Sequence, residues 1–348
     1  LAKLNEEEFK KHIKTGEYYP AYLIYGDENY LKSVYVSKLK ESIVNPTFES
    51  FNYHYYENGE VSLDEVIKDA QMLPMMSDYN LTVVKDYPIE KNKSDVKAIC
   101  DYLDDAVDTT VFVLWFEAVE PDIKGSKFNS LIKAFDKVGA SVNIEYRSES
   151  DIAKLLVNGA KKRGATLDSV NARHLIDVSG NDLKTLMNEL DKLAYYVDGG
   201  EITKDIIDSM ATKCLQARVY DLSKYIVSGN TDMAYSVLDT FFTLKEEPVS
   251  LLAVIGSVYV DMYRVKCAKT AGFAYDEVAK HYDYRRKEFR LKNASRECSK
   301  LSEQQLRQSL DEICAVDLKL KSTAADKRLL LEELMLKLVM IARGELYA

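Results

Sequence analysis

Hydrophobic and polar positions switch between two periods over the first 146 residues. Apolar or alternating runs at 21–25, 51–56, 81–85, 110–116 and 142–146 predict five β-strands. Segments near 28–44, 62–72, 94–106 and 127–138 have the spacing of amphipathic helices. Strands alternating with helices imply a parallel sheet covered on both faces. The run Val111-Phe-Val-Leu-Trp-Phe116 is almost wholly apolar, as a central parallel strand should be. Ser62 and Glu65 are spaced as a capping box at the start of the 62–72 segment.

Beyond Tyr146 the strand period stops. Helices are expected at 150–163 and 168–179, followed by a stripe of Leu183, Leu186, Leu190, Leu193 and Val197 that Gly199 and Gly200 terminate. Another short helix begins near Glu201 and closes a small bundle by residue 212. The remainder reads as helix throughout. Leu251, Ile255, Val258, Met262 and Val265 mark one stripe. Leu306, Leu310, Ile313, Val316 and Leu320 mark a second, entered through a Ser302/Gln305 capping box, and Leu331, Leu334, Leu338 and Ile341 mark a third. Leu252, Tyr259, Met335 and Leu336 lie beyond these stripes, a surplus that suits packing within the domain or against other subunits. The expected organisation is therefore α/β followed by all-α, in three parts: 1–146, 147–212 and 213–348.

Composition narrows the chemistry. At 348 residues and a net charge of −9, bulk electrostatic attraction to nucleic acid is not expected. The charge is uneven: 22 Lys and Arg face 19 Asp and Glu from residue 213 onward, against 25 and 37 before it. Six prolines and fourteen glycines, with no low-complexity tract, suggest domains that abut closely. The five cysteines are scattered without a Cys-x-x-Cys, so zinc and redox motifs lack support, and small buried thiols in a reduced cytosol are expected. The four histidines (His12, His54, His174, His281) show no metal spacing and read as surface or half-buried residues. No signal-peptide pattern opens the chain, and no uninterrupted apolar run approaches the roughly 20 residues of a membrane span.

The junction after the first strand is the most telling site. In an α/β nucleotide-binding protein, a glycine-rich turn with a lysine and a Ser or Thr would cradle phosphates there. Here the turn carries Gly26, Asp27 and Glu28, and no Gly-x-x-x-x-Gly-Lys-Ser/Thr occurs in the chain. Two carboxylates at that position would repel a triphosphate. Asp86 and Glu117, which end the third and fourth strands, are where an active ATPase would hold magnesium; without the loop they read as solvated acids.

Four strings sharpen the picture. Tyr22-Leu-Ile-Tyr-Gly-Asp-Glu-Asn-Tyr-Leu31 comes first, then Leu73-Pro-Met-Met76 before Leu81-Thr-Val-Val-Lys85. Ser179-Gly-Asn-Asp-Leu183 running to Asn188-Glu-Leu-Asp-Lys-Leu193 follows, and Asp317-Leu-Lys-Leu-Lys-Ser322 closes the series. In this order and over essentially the full length, the chain resembles the delta subunit of the bacterial DNA polymerase III clamp loader. The resemblance implies an AAA+-like parallel-sheet domain without ATPase activity or cofactor, a small helical lid and a helical collar. It implies partners as well: the ring-shaped sliding clamp (beta subunit), loader subunits of the tau/gamma and delta-prime type, and primed DNA through the assembled complex. Neither a catalytic residue nor a metal ligand nor a membrane contact is implied.

In that family a hydrophobic tip at the end of a helix of the first domain enters a pocket on the clamp. The matching positions are Leu73, Met75 and Met76. A helix beginning at Ser62 is expected to run to about Leu73, because the residue before a proline resists helical geometry. Elsewhere, the stretch 280–300 has a local balance of +5 with Tyr282, Tyr284 and Phe289 interleaved. Within it, Arg285, Arg286, Lys287 and Arg290 are candidates for contact with DNA or with another subunit. The rival readings are a nucleotide hydrolase with an atypical loop and a DNA-binding helical module.

Overall fold

The computed structural model describes residues 4–89, 93–284 and 288–345. Two compact units divide the chain, Leu1–Arg147 and Ser148–Ala348.

The first unit is built on five parallel strands: β1 (Ala21–Tyr25), β2 (Tyr53–Glu57), β3 (Asn80–Lys85), β4 (Thr110–Trp115) and β5 (Ala140–Asn143). They lie in the order β2-β3-β4-β1-β5. Register is set by pairs such as Ala21 with Phe112, Tyr22 with Ala140, Val83 with Val113 and Tyr55 with Val83. Every residue of β1 and β4 is buried, as central parallel strands require, whereas β2 at the edge has no buried residue.

Among its described residues, six α-helices complete the unit: α1 (Glu6–Thr15), α2 (Asn29–Ile43), α3 (Glu49–Asn52), α4 (Leu63–Ala70), α5 (Lys93–Asp104) and α6 (Ser126–Val138). Successive strand residues point to opposite faces. Leu23, Tyr25, Phe112 and Leu114 join Val66 of α4, Ile99 of α5 and Phe128 of α6 in one core. The intervening Tyr22 packs against Phe9 of α1, which also meets Tyr35 of α2 edge-on. The fold is thus a parallel AAA+-like sheet with helices on both faces.

Several boundaries move from their expected positions, each for a local reason. Helix α1 was not expected from the apolar pattern; Asn5 and Glu8 form a full capping box at its start. Strand β2 begins two residues late because Asn52 ends the short α3. Strand β5 stops at Asn143, since its partner β1 ends at Tyr25 where Gly26 turns away. The box at Ser62 is only half formed. Its side chain accepts from the Glu65 amide, but its hydroxyl donates to the Glu65 carboxylate, which therefore does not reach back to the backbone.

The second unit is helical: α7 (Glu149–Lys162), α8 (Ser169–Ser179), α9 (Leu183–Val197), α10 (Lys204–Met210), α11 (Leu215–Val227), α12 (Thr231–Thr243), α13 (Pro248–Thr270), α14 (Glu288–Glu297), α15 (Glu303–Ser322) and α16 (Lys327–Arg343). The one isolated strand pairing among the described residues joins Thr166 and Glu201. Helix α13 is long and apolar enough by composition to cross a membrane. In this fold it packs against α11, α14 and α15, burying Leu251, Ile255, Val258, Met262 and Val265 together with the surplus Leu252 and Tyr259. Leu336 of α16, another surplus residue, is exposed. Among the cysteines Cys298 is buried, but Cys314 on the outer side of α15 is exposed, so the expectation of uniformly buried thiols does not hold.

Candidate partner-docking site

The site lies where α4 hands over to β3. Leu63, Val66 and Ala70 hold α4 on the sheet. The helix ends at Ala70, short of the expected Leu73. Asn80, fully buried at the head of β3, explains the early stop. Its amide donates to the carbonyls of Asp69 (3.1 Å) and Met72 (3.4 Å), two acceptors that a continuing helix would have used itself. Pro74, which has no N–H, could not have bonded to Ala70 in any case.

The segment that follows is exposed and apolar. Leu73 is 77% exposed, Met75 49% and Met76 75%, with Met72 beside them also open to solvent. Residues of this kind are usually core. The backbone beneath them is nonetheless fixed. Asn52, with 0% exposure, accepts from the Met75 N–H (2.6 Å) and donates to the Met75 carbonyl (2.7 Å) and to the Ser77 hydroxyl (3.1 Å). Met76 takes a φ of 55°, a left-handed conformation that a side-chain-bearing residue seldom adopts. No local sequence pattern marks Asn52 or Asn80: their backbone partners lie 8 to 23 residues away.

The turn after β1 is closed. Gly26 has a φ of 108°, and a Cβ placed on it would meet Asn143 and fall 2.5 Å from the Ile144 carbonyl oxygen. The Glu28 amide donates to that same carbonyl. Lys32 of α2 is buried, with its ammonium donating to the Gly26 carbonyl. Burial pushes that ammonium below its ordinary pKa, against the opposing pull of Asp86, Asp27, Glu117 and Glu28.

Asp86 corrects the expectation of a solvated acid: it is 2% exposed, and its carboxylate accepts from the amides of Glu117 (2.7 Å), Ala118 (3.0 Å) and Val119 (3.0 Å). Glu117 pairs with Lys85 (2.6 Å), which also reaches Glu57 (3.0 Å). Among the described residues no group of three or more His, Cys, Asp or Glu side chains is placed to hold a metal ion.

Arg285, Arg286 and Lys287 lie outside the described residues. Arg290 is engaged internally: it pairs with the buried Asp261 of α13 (2.6 Å), which also accepts from the Tyr284 hydroxyl (2.5 Å). His12 lies beside the Tyr22 hydroxyl and His174 beside Asp208, in keeping with half-buried structural histidines.

Two family models for the delta subunit of DNA polymerase III match this chain, one over residues 22–145 and one for its C-terminal domain over 216–338. The chain belongs to the DNA polymerase III delta-subunit family. Between these stretches, residues 148–209 match a model described as a middle domain. The DNA polymerase III subunit delta of Bacillus subtilis is 27% identical over 337 residues, covering 94% of this chain and 95% of that protein. A probable delta subunit of Aquifex aeolicus is 19% identical over 72% of each chain. The solved structure of the Bacillus subtilis DNA clamp loader delta protein superposes with a TM-score of 0.62 and 26% identity, over 96% of this chain and 99% of that one. The AAA+-like sheet and the helical C-terminal region are thus those of a delta subunit.

Proposed function

We propose that this delta subunit binds the sliding clamp through Leu73, Met75 and Met76 and favours an open ring, so that the clamp can be loaded onto primed DNA during replication. The observation that carries this reading is the exposure of three large apolar side chains on a backbone fixed from below. Methionine adapts to an irregular apolar groove, and each such side chain gains about 1.5–3 kcal/mol when fully buried. A few anchors of this size can dominate an interface. Ring opening then follows from differential binding: a ligand shifts an equilibrium only by its preference for one state.

The subunit acts in this reading as a non-catalytic member of a hetero-oligomer. Residues 1–146 form the clamp-binding domain, 147–212 the lid and 213–348 the collar that meets tau/gamma and delta-prime type subunits. Leu318, Leu329, Leu336 and Met340, exposed on α15 and α16, support such subunit contact. The closed turn at Gly26 supports a role without nucleotide hydrolysis, leaving ATP to other subunits. Titration calorimetry against the cognate clamp is the test. Met75→Ala combined with Met76→Ala is expected to weaken clamp binding more than tenfold, a loss of about 1.4 kcal/mol or more, while assembly with the other loader subunits is unchanged. Unaltered clamp affinity, or micromolar binding of labelled ATP with magnesium by the isolated chain, would overturn the proposal.

A further inference from the structure

We infer that Asn52 is a positioning residue for the docking tip, holding the 71–77 segment in its binding shape before any partner arrives. The inference rests on the reading of Leu73, Met75 and Met76 as the clamp-binding anchors. Gln71 and Met72 still bond back to the last turn of α4, but residues 73–79 lie outside helix and strand and carry exposed apolar side chains. Left untied, such a loop would be ordered only on binding, at a cost in affinity.

Three features oppose that. Asn52 reaches the loop from α3, 23 positions away in sequence, and its amide satisfies both polar groups of Met75 as a neighbouring strand would. Its remaining donor bond goes to Ser77, so the residues on both sides of Met76 are tied to one buried side chain. Met76 itself keeps a left-handed backbone at φ 55°. A side chain at that geometry is strained, and strain persists where surrounding contacts over-determine it. The strained residue is also one of the most exposed of the three anchors. From the opposite side, Asn80 fixes the carbonyl of Met72, so the tip is gripped at both ends.

The test is a double-mutant cycle on the full chain, read by clamp affinity and by hydrogen exchange at the Met75 amide. Asn52→Ala is expected to lower clamp affinity five- to twentyfold and to speed Met75 exchange, with the melting transition of the chain retained. In a background of Leu73→Ala, Met75→Ala and Met76→Ala, the same Asn52→Ala is expected to change clamp affinity no further. A purely structural asparagine would instead lower affinity only in step with the folded fraction. Should Asn52→Ala not fold, Asn52→Asp carries the test. It keeps the size and the acceptor for the Met75 N–H but loses the donor to the Met75 carbonyl, and the same affinity loss is expected. If the Asn52 variants bind like the parent while the triple-alanine tip does not, the positioning role fails and the docking reading stands. If the triple-alanine tip binds like the parent, both fall.

Discussion

Single polar side chains buried beneath exposed segments decide this molecule's local shape. Asp86 is the sharpest case. Its backbone is left-handed at φ 50°, and its carboxylate collects three successive amides after β4. Removing it leaves those donors without an acceptor, at about 1–3 kcal/mol for each group left unpaired. Asp86→Ala is therefore expected to lower the unfolding free energy by about 2–3 kcal/mol, allowing for partial access of water to the freed amides. Urea titration followed by tryptophan fluorescence of Trp115, which ends β4, measures it. Sequence pattern reads such residues poorly. An acid after a strand is written the same way whether it faces solvent or caps a backbone nest, and Asn52 and Asn80 resemble any polar residue near a strand. The exposure of Leu73, Met75 and Met76 runs against their apolarity, which alone points to the core; only the resemblance in the family strings implied a surface tip there.

Helices and strands were far more legible, because their periods repeat. All five strands and the long C-terminal helices lie within a few residues of their expected places. The Ser302/Gln305 box forms in full, with Gln305 also donating to the carbonyls of Ile341 and Ala342 at the far end of α16. What escaped was set by contacts between elements rather than by pattern: the early end of β5 by its pairing with β1, and the short α4 by the Asn80 side chain. Helix α1 offers only Phe9 as a buried anchor, although the Asn5/Glu8 spacing was there to be read. The Asp261–Arg290 pair between α13 and α14 is another contact between elements that no local spacing reveals. Truncating one partner leaves a buried charge uncompensated, which costs about 3–5 kcal/mol. Arg290→Ala is expected to lower the melting temperature of the helical unit, whereas Asp261→Leu with Arg290→Leu recovers most of the loss. Calorimetry of the two variants distinguishes them.

For the molecule as a whole, the acidic first unit is closed by an ion pair between its ends. Glu6 of α1 meets Arg147, while Tyr35 (2.5 Å) and Lys10 (2.9 Å) also bond to it. Burial raises the Glu6 pKa, but the bonds from Tyr35, Lys10 and Arg147 outweigh it and leave it below its ordinary 4.5. A carboxylate with a depressed folded-state pKa stabilises fully above its unfolded value and loses that contribution as pH falls through the folded one. Stability is thus expected to drop as pH is lowered from above 4.5 through the acid range. A Glu6→Gln variant, less stable at neutral pH, should show a shallower drop, as thermal melts across that range would reveal.

The closed turn at Gly26 also bears on how nucleotide use could be regained. Only positions 26 to 28 separate β1 from α2, and the backbone there already touches the chain at Ile144. A phosphate cradle of the Gly-x-x-x-x-Gly-Lys-Ser/Thr kind needs a longer loop as well as different side chains. Point substitutions would change the lettering of this junction without opening room for a triphosphate; insertion of residues would be the smallest change that could.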